Sequence, residues 1–152
     1  MFFPSAKIIV KHPLDTNKML LIKRNVNGFI SYEPAGGRAE IHYENLYAES
    51  LEECVKREAL EELGILVDID SYIGSYTYFW PHDQSKCSNY AVFTGIILSK
   101  DKNFKGNGDK DCWPVEPIWV TKQDILNKKI LINPTHKGLE EIMFNFLHQK
   151  NI

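Results

Sequence analysis

Cysteine is scarce in this sequence. There are three in 152 residues, Cys54, Cys87 and Cys112, an odd number with no Cys-x-x-Cys pair. That excludes a disulfide framework and points to free thiols in a reducing compartment. The five histidines, His12, His42, His82, His136 and His148, are scattered, and no two stand at zinc-site spacing. Charge of either sign is not in excess: 18 Lys and Arg against 20 Asp and Glu give a net charge of -2. No basic field exists to hold a nucleic-acid backbone or an anionic membrane, so neither is an expected partner. Long apolar runs are missing as well. The longest, at residues 19–22 and 96–98, cannot span a bilayer. The start, Met-Phe-Phe-Pro-Ser-Ala-Lys, lacks the charged and apolar regions of a signal peptide. The expectation is a cytoplasmic protein.

What is present is ordinary globular material. The chain is 43% hydrophobic and 25% charged, which is enough apolar content for a core. Its length predicts a single domain over residues 1–152. Residues 6–10 and 19–23 read as strands around a turn at residues 13–17, where Pro, Asp and Asn gather. Residues 29–33 read as a short extended piece ended by Pro34, followed by a glycine-rich loop at residues 35–40. Residues 50–63 give the clearest helix. Ser50 or Glu49 starts it, Gly64 ends it, and Leu51, Val55, Ala59 and Leu63 form its core stripe. Strands are expected at 65–70, 73–79, 90–98 and 118–121, a polar loop at 100–111, a short helix at 123–127 and a long one at 135–149. This order predicts an α+β fold with a mixed sheet sandwiched between helices.

The chemistry is concentrated in Arg57-Glu58-Ala59-Leu60-Glu61-Glu62-Leu63-Gly64-Ile65. On a helix, Glu58, Glu61 and Glu62 share one face. Crowded carboxylates repel, and a divalent cation relieves the repulsion. An all-oxygen ligand set favours Mg2+, with Mn2+ as a substitute. The bland alternative is a solvated acidic face paired with Lys56 and Arg57. The surroundings weigh against it. Gly36 and Gly37 follow a strand, Glu49 stands eight residues before Arg57, and Gly64 ends the helix.

The segment resembles the Nudix hydrolase box, G-x5-E-x7-R-E-U-x-E-E-x-G-U, at every fixed position from Glu49 to Ile65. The departure is upstream. The box glycine would fall on Tyr43, whereas the glycine loop ends at Gly37, so six residues are inserted within residues 41–48. The resemblance implies a magnesium-dependent pyrophosphatase of the MutT-like Nudix fold. It implies that Glu58 and Glu62 are the principal metal ligands and catalytic groups, with Glu61 close behind. A carbonyl such as that of Gly37 would complete the site, and Glu49, Arg57 and Gly64 would be structural. The attacking water needs a base, for which a box glutamate, Asp109, Asp111 and Glu116 are candidates.

Substrate choice lies outside the box. Pro81, sixteen residues after Ile65, resembles the ADP-ribose pyrophosphatase group. The aromatic run at residues 76–80, with Tyr78 and Trp80, can stack a base. The lengthened loop offers Tyr43 and Tyr47, and Arg38 follows the glycine pair. The expected partner is a small nucleotide, a nucleoside diphosphate linked to another moiety such as ADP-ribose or a nucleotide sugar. Nucleoside triphosphates and dinucleoside polyphosphates are the enzymic alternative, and a non-catalytic sensing module is the other. Such a module usually loses the box glutamates, and all of them stand here. A monomer or homodimer is expected.

Overall fold

Strand β1 (Phe2–Lys11) organises the molecule, because its period of two sends side chains to opposite faces of a sheet. Ala6, Ile8 and Val10 enter one core and Ile9 enters another. The computed structural model describes residues 1–98 and 115–149. On one side β1 runs parallel to β8 (Asp83–Ile97), and β8 pairs antiparallel with β7 (Val67–Trp80). On the other side β1 changes partner. Residues 5–8 pair with β4 (Ala35–Arg38), whereas Val10 and Lys11 pair with β2 (Lys18–Val26). Strand β2 in turn carries β3 (Phe29–Glu33) and β9 (Val115–Thr121).

Helix α1 (Leu51–Leu63) covers one face of this mixed sheet. Its Cys54, Val55, Ala59 and Leu63 pack with Ala6, Ile8 and Phe93. The other face is covered by α2 (Lys122–Leu126) and α3 (Leu139–Gln149), whose Ile125, Leu139, Met143 and Leu147 meet Ile9, Leu21 and Val92. The fold is therefore α+β, with helices on both faces, as expected. No helix of the described residues is long and apolar enough to cross a membrane.

Four segments differ from the sequence reading, the first being the strand expected at 90–98, which already starts at Asp83. Residues 35–38 are a strand instead of a loop. Only a glycine admits so close an approach: a Cβ on Gly36 would lie 2.0 Å from the Ala6 carbonyl oxygen. The last helix starts at Leu139 instead of residue 135. Asn133 Oδ1 accepts from the Thr135 backbone N–H and hydroxyl at 3.1 and 2.7 Å, and Gly138 has φ +94°. These side-chain bonds compete with a helical start. Finally, residues 67–80 are one strand with bulges, not two.

Helix α1 is held at both ends. Ser50 Oγ accepts the Glu53 N–H at 3.1 Å, and Gly64, at φ 69°, donates to the Leu60 carbonyl at 3.0 Å. Arg57 fixes it laterally. Its guanidinium donates to both oxygens of Glu49, at 2.8 and 2.9 Å, and to the Arg38 carbonyl at 3.0 Å. The inserted residues form a small hairpin of β5 (Ile41–His42), a 3-10 turn at Tyr43–Asn45 and β6 (Tyr47–Ala48). Its base is closed where Glu49 N–H donates to the Glu40 carbonyl at 2.9 Å and Glu40 N–H donates to Glu49 Oε1 at 3.1 Å. The insertion therefore adds an arm without displacing Glu49 from Arg57.

Where β1 changes partner, a group of buried charges sits. Lys7 Nζ lies 2.6 Å from Glu33 Oε2, and Arg24 pairs with Glu33 Oε1. Burial opposes ionisation of Glu33, but Lys7 and Arg24 outweigh it and hold the carboxyl well below the usual carboxylate range.

Two outcomes follow from these contacts. Arg57→Ala removes a bidentate charge-assisted pair and should destabilise the fold by about 2 kcal/mol, lowering the melting temperature together with activity. An unchanged melting temperature with lost activity would show that Arg57 acts on substrate instead. Lys7→Met leaves Glu33 short of a partner and should cost about 3 kcal/mol in denaturant unfolding. Because the folded carboxyl of Glu33 titrates below its ordinary value of 4.5, its contribution is present above that pH and is lost as pH falls below it. The acid limb of the stability profile should accordingly be shallower in Lys7→Met, and an identical limb would refute the pairing.

Candidate active site

A cleft of about 1150 Å3 opens beside β4, between the exposed edge of α1 and the loop that precedes α3. It is lined by Glu58, Glu61 and Glu62 from α1 and by Gly36, Gly37 and Arg38 from β4. The helix pitch that sets Val55, Ala59 and Leu63 into the core carries Glu62 with them to the edge of the buried face.

Glu62 is 4% exposed. Its Oε1 accepts the Gly36 N–H at 3.1 Å, while its buried Oε2 has no hydrogen-bond partner. Arg24 Nη2 stands 3.7 Å from that oxygen, too far for a hydrogen bond. Burial pushes the Glu62 carboxyl up to about 8, with Lys7 opposing, the Glu58 carboxylate adding to the rise and Arg24 opposing again. Glu58 lies against Gly37, where a Cβ would meet its Oε1 at 2.5 Å. The absent side chain of Gly37 is thus the space that the Glu58 carboxylate fills. Glu61 is drawn aside by Arg57, which donates to it and to Glu58 at 3.2 Å each.

Among the described residues, no three His, Cys, Asp or Glu side chains stand together as a ready-made ligand group. The site is a carboxylate pair, Glu58 and Glu62, with Glu61 at its margin. That pair fits a hard divalent cation. Magnesium takes one or two protein carboxylates and completes its shell with water and substrate phosphate, and an orphaned buried carboxylate oxygen is stabilised by an added positive charge. The Gly37 carbonyl, expected to assist, accepts from the Cys54 thiol at 3.5 Å. Burial, followed by the charges of Glu49 and Glu58, pushes that thiol up to about 12, so Cys54 is no nucleophile.

The remaining expected residues divide. Tyr43, Tyr78 and Pro81 line the cleft, and Pro81 with His82 also makes the β7–β8 turn. Trp80 is engaged elsewhere: its ring stacks on Phe3 with centroids 4.8 Å apart, and its Nε1 donates to Ser88 at 3.0 Å. Tyr76 is buried and bonds His136 Nδ1 at 2.8 Å. Tyr47 turns to Glu53 instead of the cleft. Glu116 is exposed on β9 opposite Lys23. Asp109 and Asp111 lie outside the described residues.

Sequence reasoning missed the other wall, formed by Lys7, Arg24, Glu33, Asn133 and His136. One signal was available: Lys7 interrupts the apolar strand Ala6-Lys7-Ile8-Ile9-Val10, and a lysine there must be paired. Tyr78 stacks on His136 at 4.1 Å with ring planes 4° apart. Burial and then Lys7 push His136 down to about 3, so its ring is neutral at ordinary pH, with Glu33 only partly opposing. Two cations against one carboxylate leave the Lys7–Arg24–Glu33 group with one positive charge, a suitable neighbour for an anionic ligand.

Known proteins share this architecture. A Nudix hydrolase from Nitrosomonas europaea superposes with a TM-score of 0.69 at 18% identity, over 99% of this chain and 91% of that one. A MutT protein from Methanosarcina mazei gives 0.66 at 21% identity, over 99% and 95%. A UDP-X diphosphatase gives 0.65 at 16% identity, over 100% of this chain and 65% of that one. No curated protein sequence matches the chain. The NUDIX domain family model matches residues 3–143. With that match, and with the Glu49–Ile65 box forming helix α1 and its two caps, the chain belongs to the Nudix family of pyrophosphohydrolases.

Proposed function

We propose that the protein is a magnesium-dependent hydrolase, located in the cytoplasm, that splits the diphosphate of a nucleoside diphosphate joined to a second group, with ADP-ribose and nucleotide sugars as its class. The observation that carries this reading is Glu62, buried on the cleft wall with an unpartnered oxygen beside Glu58. Glu58 and Glu62 would hold the cation, and Glu61 would stand by. Bound there, a divalent cation neutralises phosphate oxygens and acidifies a water molecule.

The chain's own residues supply position and field. The Gly36 N–H fixes one oxygen of Glu62, which leaves the other, 3.7 Å from Arg24, without a hydrogen bond. Arg57 holds Glu58 and Glu61 while it is itself held by Glu49, so the carboxylate face is organised before substrate arrives. Lys7 and Arg24, which also line the cleft, offer positive potential beside Glu62. The base that takes the proton of water is one of the acidic candidates, and among the described residues the box glutamates Glu58, Glu61 and Glu62 are the ones that line the cleft.

The size of the cleft supports a substrate with groups on both sides of the anhydride. About 1150 Å3 exceeds what most single small ligands need, roughly 300–1,000 Å3. Tyr78, backed by His136, presents one aromatic surface and Tyr43 another. The fold shared with a UDP-X diphosphatase agrees with this class.

Glu62→Gln keeps the shape of the side chain and removes its charge. Turnover at saturating magnesium should fall by roughly a hundredfold or more, while the melting temperature of the metal-free protein at neutral pH should hold, because burial already keeps the Glu62 carboxyl largely protonated there. Wild-type turnover would sink the site. For the substrate, ADP-ribose, a UDP-sugar, a nucleoside triphosphate and a dinucleoside polyphosphate are offered in competition with magnesium. One of the first two should show the highest kcat/KM. A win for the triphosphate would refute the substrate class and leave the carboxylate site standing.

A further inference from the structure

Among the described residues, four lysine and arginine side chains line the cleft: Lys7, Arg24, Arg38 and Arg57. Lys7 is committed to Glu33, Arg24 to Glu33 and Glu62, and Arg57 to Glu40, Glu49, Glu58 and Glu61. Arg38 differs. Among the described residues no carboxylate pairs with it, and its guanidinium lies over aromatic rings, 4.8 Å from the Trp80 centroid and 5.4 Å from that of Phe3. Phe3 and Trp80 stack on each other, Lys86 Nζ lies 5.3 Å from the Trp80 centroid, and Ser88 accepts from Trp80 Nε1. The platform is thus fixed by its own contacts. A guanidinium resting on an aromatic face is positioned without spending its N–H fork, which remains free for the paired oxygens of an anion. The backbone of Arg38 is anchored as well, since its carbonyl accepts from Arg57 at 3.0 Å, and Gly37 beside it abuts Glu58.

We propose that Arg38 recognises a phosphate group of the substrate at the rim of the carboxylate site, and that Trp80 is its positioning residue. Trp80 then serves as a seat for a cation and not as a stacking surface for a base. This rests on the reading of the cleft as a diphosphate site, but not on which nucleotide it hydrolyses. Arg38 supplies a planar two-point contact, so substrates are selected for a phosphate at that rim, and a neutral nucleoside gains nothing from it.

The experiment measures the calorimetric affinity of the whole protein for ADP, with adenosine as the uncharged control, and the KM and kcat of the best substrate from the hydrolysis panel. Arg38→Met should weaken ADP binding and raise KM by roughly ten- to a hundredfold, change kcat less, and leave adenosine binding as it was. Arg38→Lys should restore only part of the affinity, having no fork. Trp80→Ala should weaken ADP binding roughly two- to fivefold, and Trp80→Phe should recover it. In the double variant Arg38→Met, Trp80→Ala, loss of the platform should add nothing to the loss of the arginine. A Trp80→Ala effect of full size in the Arg38→Met background would mean that Trp80 touches the ligand itself, and would overturn the positioning role. ADP affinity unchanged in Arg38→Met, or no ADP binding by the wild type, would overturn the phosphate contact. Hydrolysis of the panel tests the substrate class separately: a triphosphate preference combined with Arg38-dependent ADP binding refutes that class and keeps this inference.

Discussion

The buried carboxylate of Glu33 is the constraint on which the cleft depends. It lies where β1 changes partner, and it binds groups from separate segments: Lys7 from β1, Arg24 from β2, and Asn133, at 3.3 Å, from the loop before α3. His136 Nε2 lies 3.8 Å away. Without the negative charge of Glu33, two desolvated cations would face one another in a low-dielectric wall. With it, both remain charged, and Lys7 titrates above its ordinary range despite a burial that acts against it. A buried ion pair of this kind is poor evidence of net stability, because desolvation offsets much of the attraction. Its value here is positional, since it holds two cations beside the Glu62 carboxylate of α1.

The second wall is built on the opposite principle. Glu62 is buried and under-partnered, and Glu58 is pressed into the space left by Gly37. Such an arrangement stores unfavourable electrostatics that a divalent cation relieves. Arg57 limits the cost by taking Glu61 and one oxygen of Glu58, and Glu49 keeps Arg57 in place. The six inserted residues leave this intact because the arm closes on itself. Reciprocal bonds between Glu40 and Glu49 restore at its base the connection that a shorter loop would make directly. Tyr43, at the turn of the arm, reaches the cleft, while Tyr47 returns to α1.

Much of this was legible along the chain. Helix α1 was readable because its caps and its four-residue stripe are local signals, and the box from Glu49 to Ile65 named the carboxylates. Less legible was anything decided by a neighbour distant in sequence. Residues 35–38 look like a loop because two glycines have no strand propensity, yet the edge of β1 recruits them into the sheet. Residues 135–138 look helical until Asn133 turns the chain through its side-chain bonds to Thr135 and Gly138, at φ +94°, breaks the run. Trp80 looks like a base platform until Phe3 and Arg38 are found on it.

The sequence by itself determined the family, the two-sided sheet, the carboxylate spacing and the Arg57–Glu49 partnership. These rest on periodicity and on fixed offsets within one short stretch. Only the tertiary structure decided which carboxylate is buried with one oxygen short of a hydrogen bond, that Lys7, Arg24 and Glu33 share one wall with His136, and that Arg38 sits against aromatic rings. The physical reason is that desolvation and pairing depend on what surrounds a group in three dimensions. Lys7 and Glu33 stand 26 positions apart, and Tyr76 and His136 stand 60 apart, so no local pattern can announce that they meet.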